Sequence, residues 1–157
     1  MVGLKAISLL FPLSFPQIRD LAPPISTATL LSFAALGASY HILAPQYSTQ
    51  KQLSWILTTV SSAVMTIMSL PFMYDYFMHG GRVQYIRTLS TFSIAAVRFF
   101  QGYLAADLTI GTVYYRDQLS TLTGWIHHLV YILVVELAVR RSWTHIFCLA
   151  AIMEVCQ

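Results

Sequence analysis

Long apolar stretches alternate with short polar segments along this chain, and a helix that crosses a bilayer needs roughly 20 such apolar residues. The pattern predicts four spans and the start of a fifth: residues 26–44, 53–74, 99–115, 122–139 and the run from Trp143 onward. Pro45 ends the first span, and Pro71 is expected to kink the end of the second. The chain is therefore predicted to be an all-α, polytopic transmembrane helix bundle with about five spans of an expected six.

The segments between the predicted spans differ in length. Residues 73–87 are predicted to form a loop that turns at Gly80-Gly81. Residues 88–97 are interpreted as an interfacial or re-entrant lead-in to the third span, because 88–115 is too long for one straight span. The connection 116–121 is short, so the third and fourth spans should be antiparallel neighbours.

Composition supports the membrane interpretation. The chain is 57% hydrophobic and 10% charged, whereas about 25% of the residues of a soluble domain are charged. The basic residues form no stripe with interleaved aromatics, so nucleic-acid binding is not supported. They concentrate on one predicted face: Lys5, Arg19, Arg82, Arg87, Arg140, Arg141 and, at its edge, Arg98. The positive-inside rule places that face and the N-terminus in the cytoplasm.

The two ends of the chain carry separate expectations. Residues 1–25 are predicted to be an N-terminal leader or interfacial segment; a signal peptide is less favoured, because no small-x-small cleavage site follows. Residues 26–157 are predicted to form one transmembrane domain. The apolar run from Thr144 stops at Gln157 before it reaches span length. We therefore expect a truncated form of a longer protein, inactive and poorly stable alone.

Ionisable residues inside the predicted spans are the strongest functional signal, since such residues usually face a bundle interior and mark a site. Asp107 lies ~12 Å and the pair His127-His128 ~8–9 Å below the same membrane surface, at 1.5 Å per residue. Glu154 lies ~15 Å deep from the opposite surface. Three spans thus bring these four residues to similar depths, and they are the candidate catalytic or lipid-binding set.

Neighbouring residues refine this candidate site. Adjacent histidines point ~100° apart on a helix, so one should face the site and the other a backbone group or a second helix. Tyr131 follows the pair at helical spacing, and Tyr103 and Gly111 share the helix face of Asp107. Gly102 and Ala106 form a small-xxx-small pattern that permits close helix contact.

Simpler interpretations compete with a functional one. Membrane histidines often only bond neighbouring helices, and Glu136 is four residues before Arg140, the favourable spacing for an ion pair. Asp75 and His79 are expected in a solvated loop. A zinc site from two histidines and carboxylates is an alternative, but the five histidines do not form the boxes of a di-iron enzyme; no metal or cofactor is predicted. Cys148 and Cys156 are too far apart on a helix for a disulfide and are interpreted as core residues.

The stretches QGYLAADLTIGTVYY, LTGWIHHLVYILVVELAV and WTHIFCLAAIMEV resemble the TLC domain, most closely its fungal members. That family includes translocating-chain-associating membrane proteins, ceramide synthases and a neuronal ceroid lipofuscinosis protein. The resemblance implies about six spans, the endoplasmic reticulum and a lipid-related function. In ceramide synthases the His pair and nearby acidic residues are implicated in N-acylation with acyl-CoA. This chain departs from their DxxD pattern, because Gln157 stands three residues after Glu154.

Three functions follow from this sequence. The first is membrane lipid homeostasis through binding, sensing or transport of a lipid in the bundle interior. The second is a ceramide synthase-like N-acyltransferase that uses His127-His128, with acyl-CoA as substrate and Asp107 or Glu154 orienting the histidine. The third is a purely structural role. Membrane lipids are the predicted partners, and a homo-oligomer is left open.

Overall fold

The computed structural model describes residues 26–88 and 90–151, and every regular element in these two ranges is helical. Five α-helices follow in order: α1 (Thr27–Leu43), α2 (Gln50–Met78), α3 (Ser90–Tyr114), α4 (His127–Arg140) and α5 (Thr144–Ala150). The predicted all-α class is confirmed. Two helical segments, Thr27–Gln46 and Gln50–Met78, are long and apolar enough to cross a membrane. The count of five spans and the orientation stay predictions.

Local sequence signals set several of the helix ends. Ser26 caps α1 by accepting a hydrogen bond from the Thr29 N–H, and Pro45 lies in the tight turn Ala44–Gln46 that ends this helix. Thr49 and Gln52 form a capping box at the start of α2, in which each side chain accepts from the other's backbone N–H. The turn at Gly80-Gly81 is confirmed: both residues have positive φ angles, 65° and 77°, which glycine adopts without strain.

Helix α2 is longer than the second predicted span, residues 53–74. Helix α2 continues through Pro71 to Met78, so the first part of the loop predicted over 73–87 is helical. Asp75, expected to be solvated, is buried in the last turns of α2. Its carboxylate accepts two hydrogen bonds of 2.6 Å from the Arg87 guanidinium and one of 2.9 Å from the Arg87 N–H. His79 is exposed, as expected. Hydrogen bonds from Arg87, which lies at the end of the following loop, thus take the place of the water expected around Asp75.

The division of 88–115 into a lead-in and a separate span was also wrong. Residues 90–114 form the single helix α3. Arg98, which suggested an edge position, is buried and donates to Glu136 at 2.7 Å and to Gln101 at 2.8 Å. Because this charge is neutralised inside the bundle, the helix does not need to break at it. Helix α3 contacts α1, α2, α4 and α5 and is the central helix of the described bundle.

The close contact predicted at Gly102 and Ala106 is confirmed where α3 meets α1. A Cβ atom at Gly102 would lie 2.7 Å from the Ser32 Cβ and 2.8 Å from the Thr29 carbonyl oxygen. Ala106 is fully buried in the adjoining core. The two backbones can therefore approach only because position 102 has no side chain.

The last described helix completes the core. Cys148 on α5 is fully buried among apolar side chains, as a small core residue should be. Thr144 at the start of α5 shares a 2.7 Å hydrogen bond with Ser93 on α3. The predicted leader, residues 1–25, lies outside the described residues, as do Glu154 and Cys156.

Candidate functional site

Two of the four predicted site residues meet inside the bundle. Asp107 on α3 and His128 on α4 are both buried, and the Asp107 Oδ2 lies 3.0 Å from the His128 Nε2. Helices α3 and α4 are consecutive and joined by a short connection, residues 115–126, which brings the two side chains to the same level. The third residue, His127, lies beside this pair. The fourth, Glu154, falls outside the described residues.

Both ring nitrogens of His128 have a neighbour. Nδ1 lies 2.7 Å from the Gly124 carbonyl oxygen and therefore donates to it. Nε2 approaches the Asp107 carboxylate without the alignment of a hydrogen bond. A neutral imidazole that donates from Nδ1 has a lone pair on Nε2. The pair thus places a proton acceptor of α4 within 3.0 Å of a carboxylate of α3 inside the bundle.

Tyr115 belongs to this cluster although the sequence did not indicate it as a site residue. Its hydroxyl donates to the Asp107 Oδ1 at 2.6 Å, and its side chain is buried. Gly111 makes this possible, because a Cβ there would lie 2.7 Å from the Tyr115 ring and 2.6 Å from Leu119. The signal available in the sequence was Gly111, placed on the same helix face as Asp107.

His127 differs from its neighbour in every contact. It is half-buried, and its ring lies 4.5 Å from the Tyr131 ring and 5.7 Å from the His128 ring, centroid to centroid. Within the described part of the chain, neither of its nitrogens has a hydrogen bond. The two histidines therefore lie in different surroundings: the His128 ring contacts a backbone carbonyl and a second helix, and the His127 ring contacts Tyr131.

A cleft of about 630 Å³ opens in front of His127, between α2 and the pair α3/α4. One wall carries hydroxyl side chains of α2, which are Thr58, Thr59, Ser61, Ser62 and Thr66. The facing wall carries Tyr103, His127 and His128. We call this space the main cleft.

A smaller cleft of about 270 Å³ reaches Asp107, Tyr115 and Gly124. Trp55, Thr58, Tyr103 and His128 line both spaces. The Tyr103 and Thr58 hydroxyls are 3.3 Å apart, within hydrogen-bond distance, and His128 lies beside them at the boundary. His128 therefore forms part of the wall of the main cleft, and Asp107 lies behind it in the smaller cleft.

A second buried polar cluster was predicted from the sequence only in part. The predicted pair of Glu136 with Arg140 is confirmed at 2.8 Å. The same carboxylate also binds Arg98 at 2.7 Å, and Gln101 links Arg98 to Thr29 of α1 through hydrogen bonds of 2.8 and 3.1 Å. Pairing across helices could not be read from helical spacing. This cluster ties α1, α3 and α4 together and lines neither cleft.

The chemistry open to these groups is hydrogen bonding and proton transfer. Within residues 26–88 and 90–151 there is no group of three or more His, Cys, Asp or Glu that could hold a metal ion. The chain matches no protein-family model, no curated protein and no solved structure. The fold and site therefore define an all-helical protein with two helices of membrane-spanning length and a histidine-lined interior cleft.

Proposed function

We propose that this chain is a multi-pass membrane protein of the TLC type that binds a lipid in the main cleft and acts in membrane lipid homeostasis. Its proposed location is the endoplasmic reticulum, which rests on the resemblance to the TLC domain alone. The observation that carries the proposal is His127, a half-buried ring at the wall of a large cleft whose nitrogens have no hydrogen bond to any described residue.

The outer surface of the bundle supports a membrane location. Leu129, Val130, Leu133 and Val134 of α4 are all exposed, with 42–52% of their surface accessible. A soluble monomer rarely exposes a contiguous apolar surface of this kind, whereas lipid tails cover it at no cost. The buried charges lie on the inside and are paired, which is the arrangement expected of ionisable residues in a membrane.

The polar pattern also supports the TLC assignment. The resemblance rests on an Asp in one span and a His pair opening the next, and these are the residues that meet at Asp107 and His128. A contact between the two adds a physical reason for their joint occurrence, since an unpaired carboxylate at this depth would be costly.

Saturable labelling by photoactivatable lipids tests the proposal. The full chain in nanodiscs should be labelled by at least one lipid of a mixed panel, and an excess of the unlabelled lipid should compete. His127→Ala should reduce this labelling, whereas His145→Ala, at a half-buried histidine of α5, should not. Labelling that never saturates, or that does not depend on His127, would refute the proposal.

A ceramide synthase-like N-acyltransferase is the alternative, and the unbonded ring of His127 favours it. A substrate amine would attack the thioester carbon of acyl-CoA, forming the amide C–N bond and breaking the C–S bond. His127 would take the amine proton and deliver it to the departing thiolate. His128, held by Gly124 and Asp107, would position the His127 backbone rather than react.

Activity assays separate the two proposals. The acyltransferase reading requires acyl transfer from acyl-CoA to a sphingoid base by the purified protein, and its loss in His127→Ala. Saturable lipid binding without any acyl transfer would leave the binding function alone. A purely structural role requires neither, and instead requires that His127, His128 and Asp107 tolerate replacement by residues of similar volume.

A further inference from the structure

We infer that the main cleft selects an uncharged lipid whose headgroup carries hydroxyl or amide hydrogen-bond donors. This inference rests on the proposed lipid-binding function and adds the chemical class of the ligand. It comes from the residues that line the cleft and from the way their own hydrogen bonds are already used.

Among the described residues, the lining of the main cleft includes no Lys, Arg, Asp or Glu side chain. The Asp107 carboxylate belongs to the smaller cleft, behind His128 and Tyr103. Burying a charged headgroup against such a wall would be costly, because no opposite charge compensates its lost hydration.

The backbone of the described cleft wall has no free N–H groups that could bind an anion in place of a basic side chain. Phosphate groups are usually bound by Arg or Lys, or by free N–H groups at a helix N-terminus. The hydroxyl wall instead lies in the interior of α2, between Thr58 and Thr66, where the N–H groups serve the helix itself. A phosphate or carboxylate headgroup would therefore lack its usual partners.

Two hydroxyl side chains of this wall donate to carbonyl groups of α2 and therefore face a ligand as acceptors. The Thr66 hydroxyl donates to the Ser62 carbonyl at 2.8 Å, which leaves only its lone pairs for a ligand. The Thr58 hydroxyl lies 3.4 Å from the Ser54 carbonyl and 3.3 Å from the Tyr103 hydroxyl. Thr58, Ser62 and Thr66 are spaced four residues apart, so they form one row along a helix face. A row with acceptors at both ends, Thr58 and Thr66, fits a headgroup that donates an O–H or N–H hydrogen bond.

The rest of the cleft fits the other half of such a ligand. His127 faces the row from α4 with one donor and one acceptor nitrogen when neutral. Met65, Phe100 and Leu104 line the same space and give an apolar surface for an acyl chain. The headgroup is thus placed between the hydroxyl row and His127, with the chain against the apolar residues.

Photolabelling with lipids that have long apolar chains but differ in headgroup charge tests this inference. The probes are diacylglycerol, phosphatidic acid and a long-chain amine, each competed by its own unlabelled form on the full chain. We expect diacylglycerol to bind at least about tenfold more tightly than either charged probe. Thr66→Val should weaken diacylglycerol binding roughly three- to tenfold, the effect of one hydrogen bond.

Thr109→Val is the matched control. The Thr109 hydroxyl donates to the Ala105 carbonyl at 2.7 Å, as Thr66 does to its own helix, but Thr109 is exposed on the outer face of α3. Its substitution should leave diacylglycerol binding unchanged.

The outcomes separate the two proposals. Equal or tighter saturable binding of a charged probe, or no effect of Thr66→Val, would overturn the headgroup class and leave lipid binding standing. Failure of every probe to bind saturably, in this panel and in the mixed panel above, would remove the lipid-binding function and this inference with it.

Discussion

The buried ion pair between Arg98 and Glu136 gives the most quantitative prediction, because its two partners are not equally replaceable. Their side chains are 7% and 2% exposed, and their nearest charged atoms lie 2.7 Å apart. Glu136 has a second cationic partner, Arg140, whose side chain is 36% exposed. Among the described residues, the one further partner of Arg98 besides Glu136 is the neutral Gln101. Removing Glu136 therefore leaves the buried Arg98 guanidinium without an opposite charge, whereas removing Arg98 leaves Glu136 paired with Arg140.

The magnitudes follow from what each substitution leaves behind. Glu136→Leu leaves the Arg98 guanidinium buried with one neutral partner, and breaking a buried pair in this way costs about 3–5 kcal/mol of unfolding free energy. Arg98→Met leaves Glu136 paired with Arg140, so its cost should be smaller, about 1–3 kcal/mol. The double variant removes both charges from the interior, and we expect it to be more stable than Glu136→Leu alone.

Unfolding of the four proteins by denaturant in detergent micelles would measure this cycle. The fully buried Cys148 provides the probe, because its thiol reacts with a fluorogenic dye only when the core opens. A Cys156→Ser background makes it the single cysteine. Equal costs for the two single variants, or strictly additive costs in the double variant, would refute the reasoning.

Two further predictions follow from other contacts. Gly102→Ala should lower the unfolding free energy by about 1–3 kcal/mol, because the new Cβ would meet Ser32 and the backbone of α1. Gly37→Ala, whose new Cβ would have nothing within 4 Å, should raise the unfolding free energy by up to about 1 kcal/mol. Unfolding curves of the two variants that shift in the same direction would contradict the contact at Gly102. Asp75→Asn should accelerate limited proteolysis within 79–87, since it weakens the clamp on Arg87; an unchanged cleavage rate would show that the clamp does not hold this loop.

The elements that the sequence predicted well are those fixed by local chemistry. The first span and the glycine turn depend on a cap, a proline and glycines that lie next to them in sequence. The two errors of helix extent, at the end of α2 and at Arg98, have a different cause. At each of these places lies a charged residue whose partner is distant in the sequence: Arg87 for Asp75 and Glu136 for Arg98.

The candidate site also divides into features that helical spacing predicts and features that depend on contacts elsewhere in the fold. Helical spacing and depth brought Asp107 and His128 to one level, and they are in contact. The same reasoning could not assign roles within the histidine pair, because these depend on the Gly124 carbonyl in the π-helical turn Thr121–Ile126 just before α4. Tyr115 was missed because it lies just beyond the end of α3, where helical spacing no longer predicts which residues are neighbours.

Mapping where a lipid crosslinks to this protein would test its central property, an interior lipid site, most directly. The full chain in nanodiscs would be labelled with a photoactivatable diacylglycerol, and the adducts located by mass spectrometry with and without unlabelled competitor. We predict competable adducts on the cleft residues Ser62, Thr66 and His127. Adducts confined to outward residues such as Leu129 and Leu133, unaffected by competitor, would show that lipid only surrounds the bundle and does not occupy it.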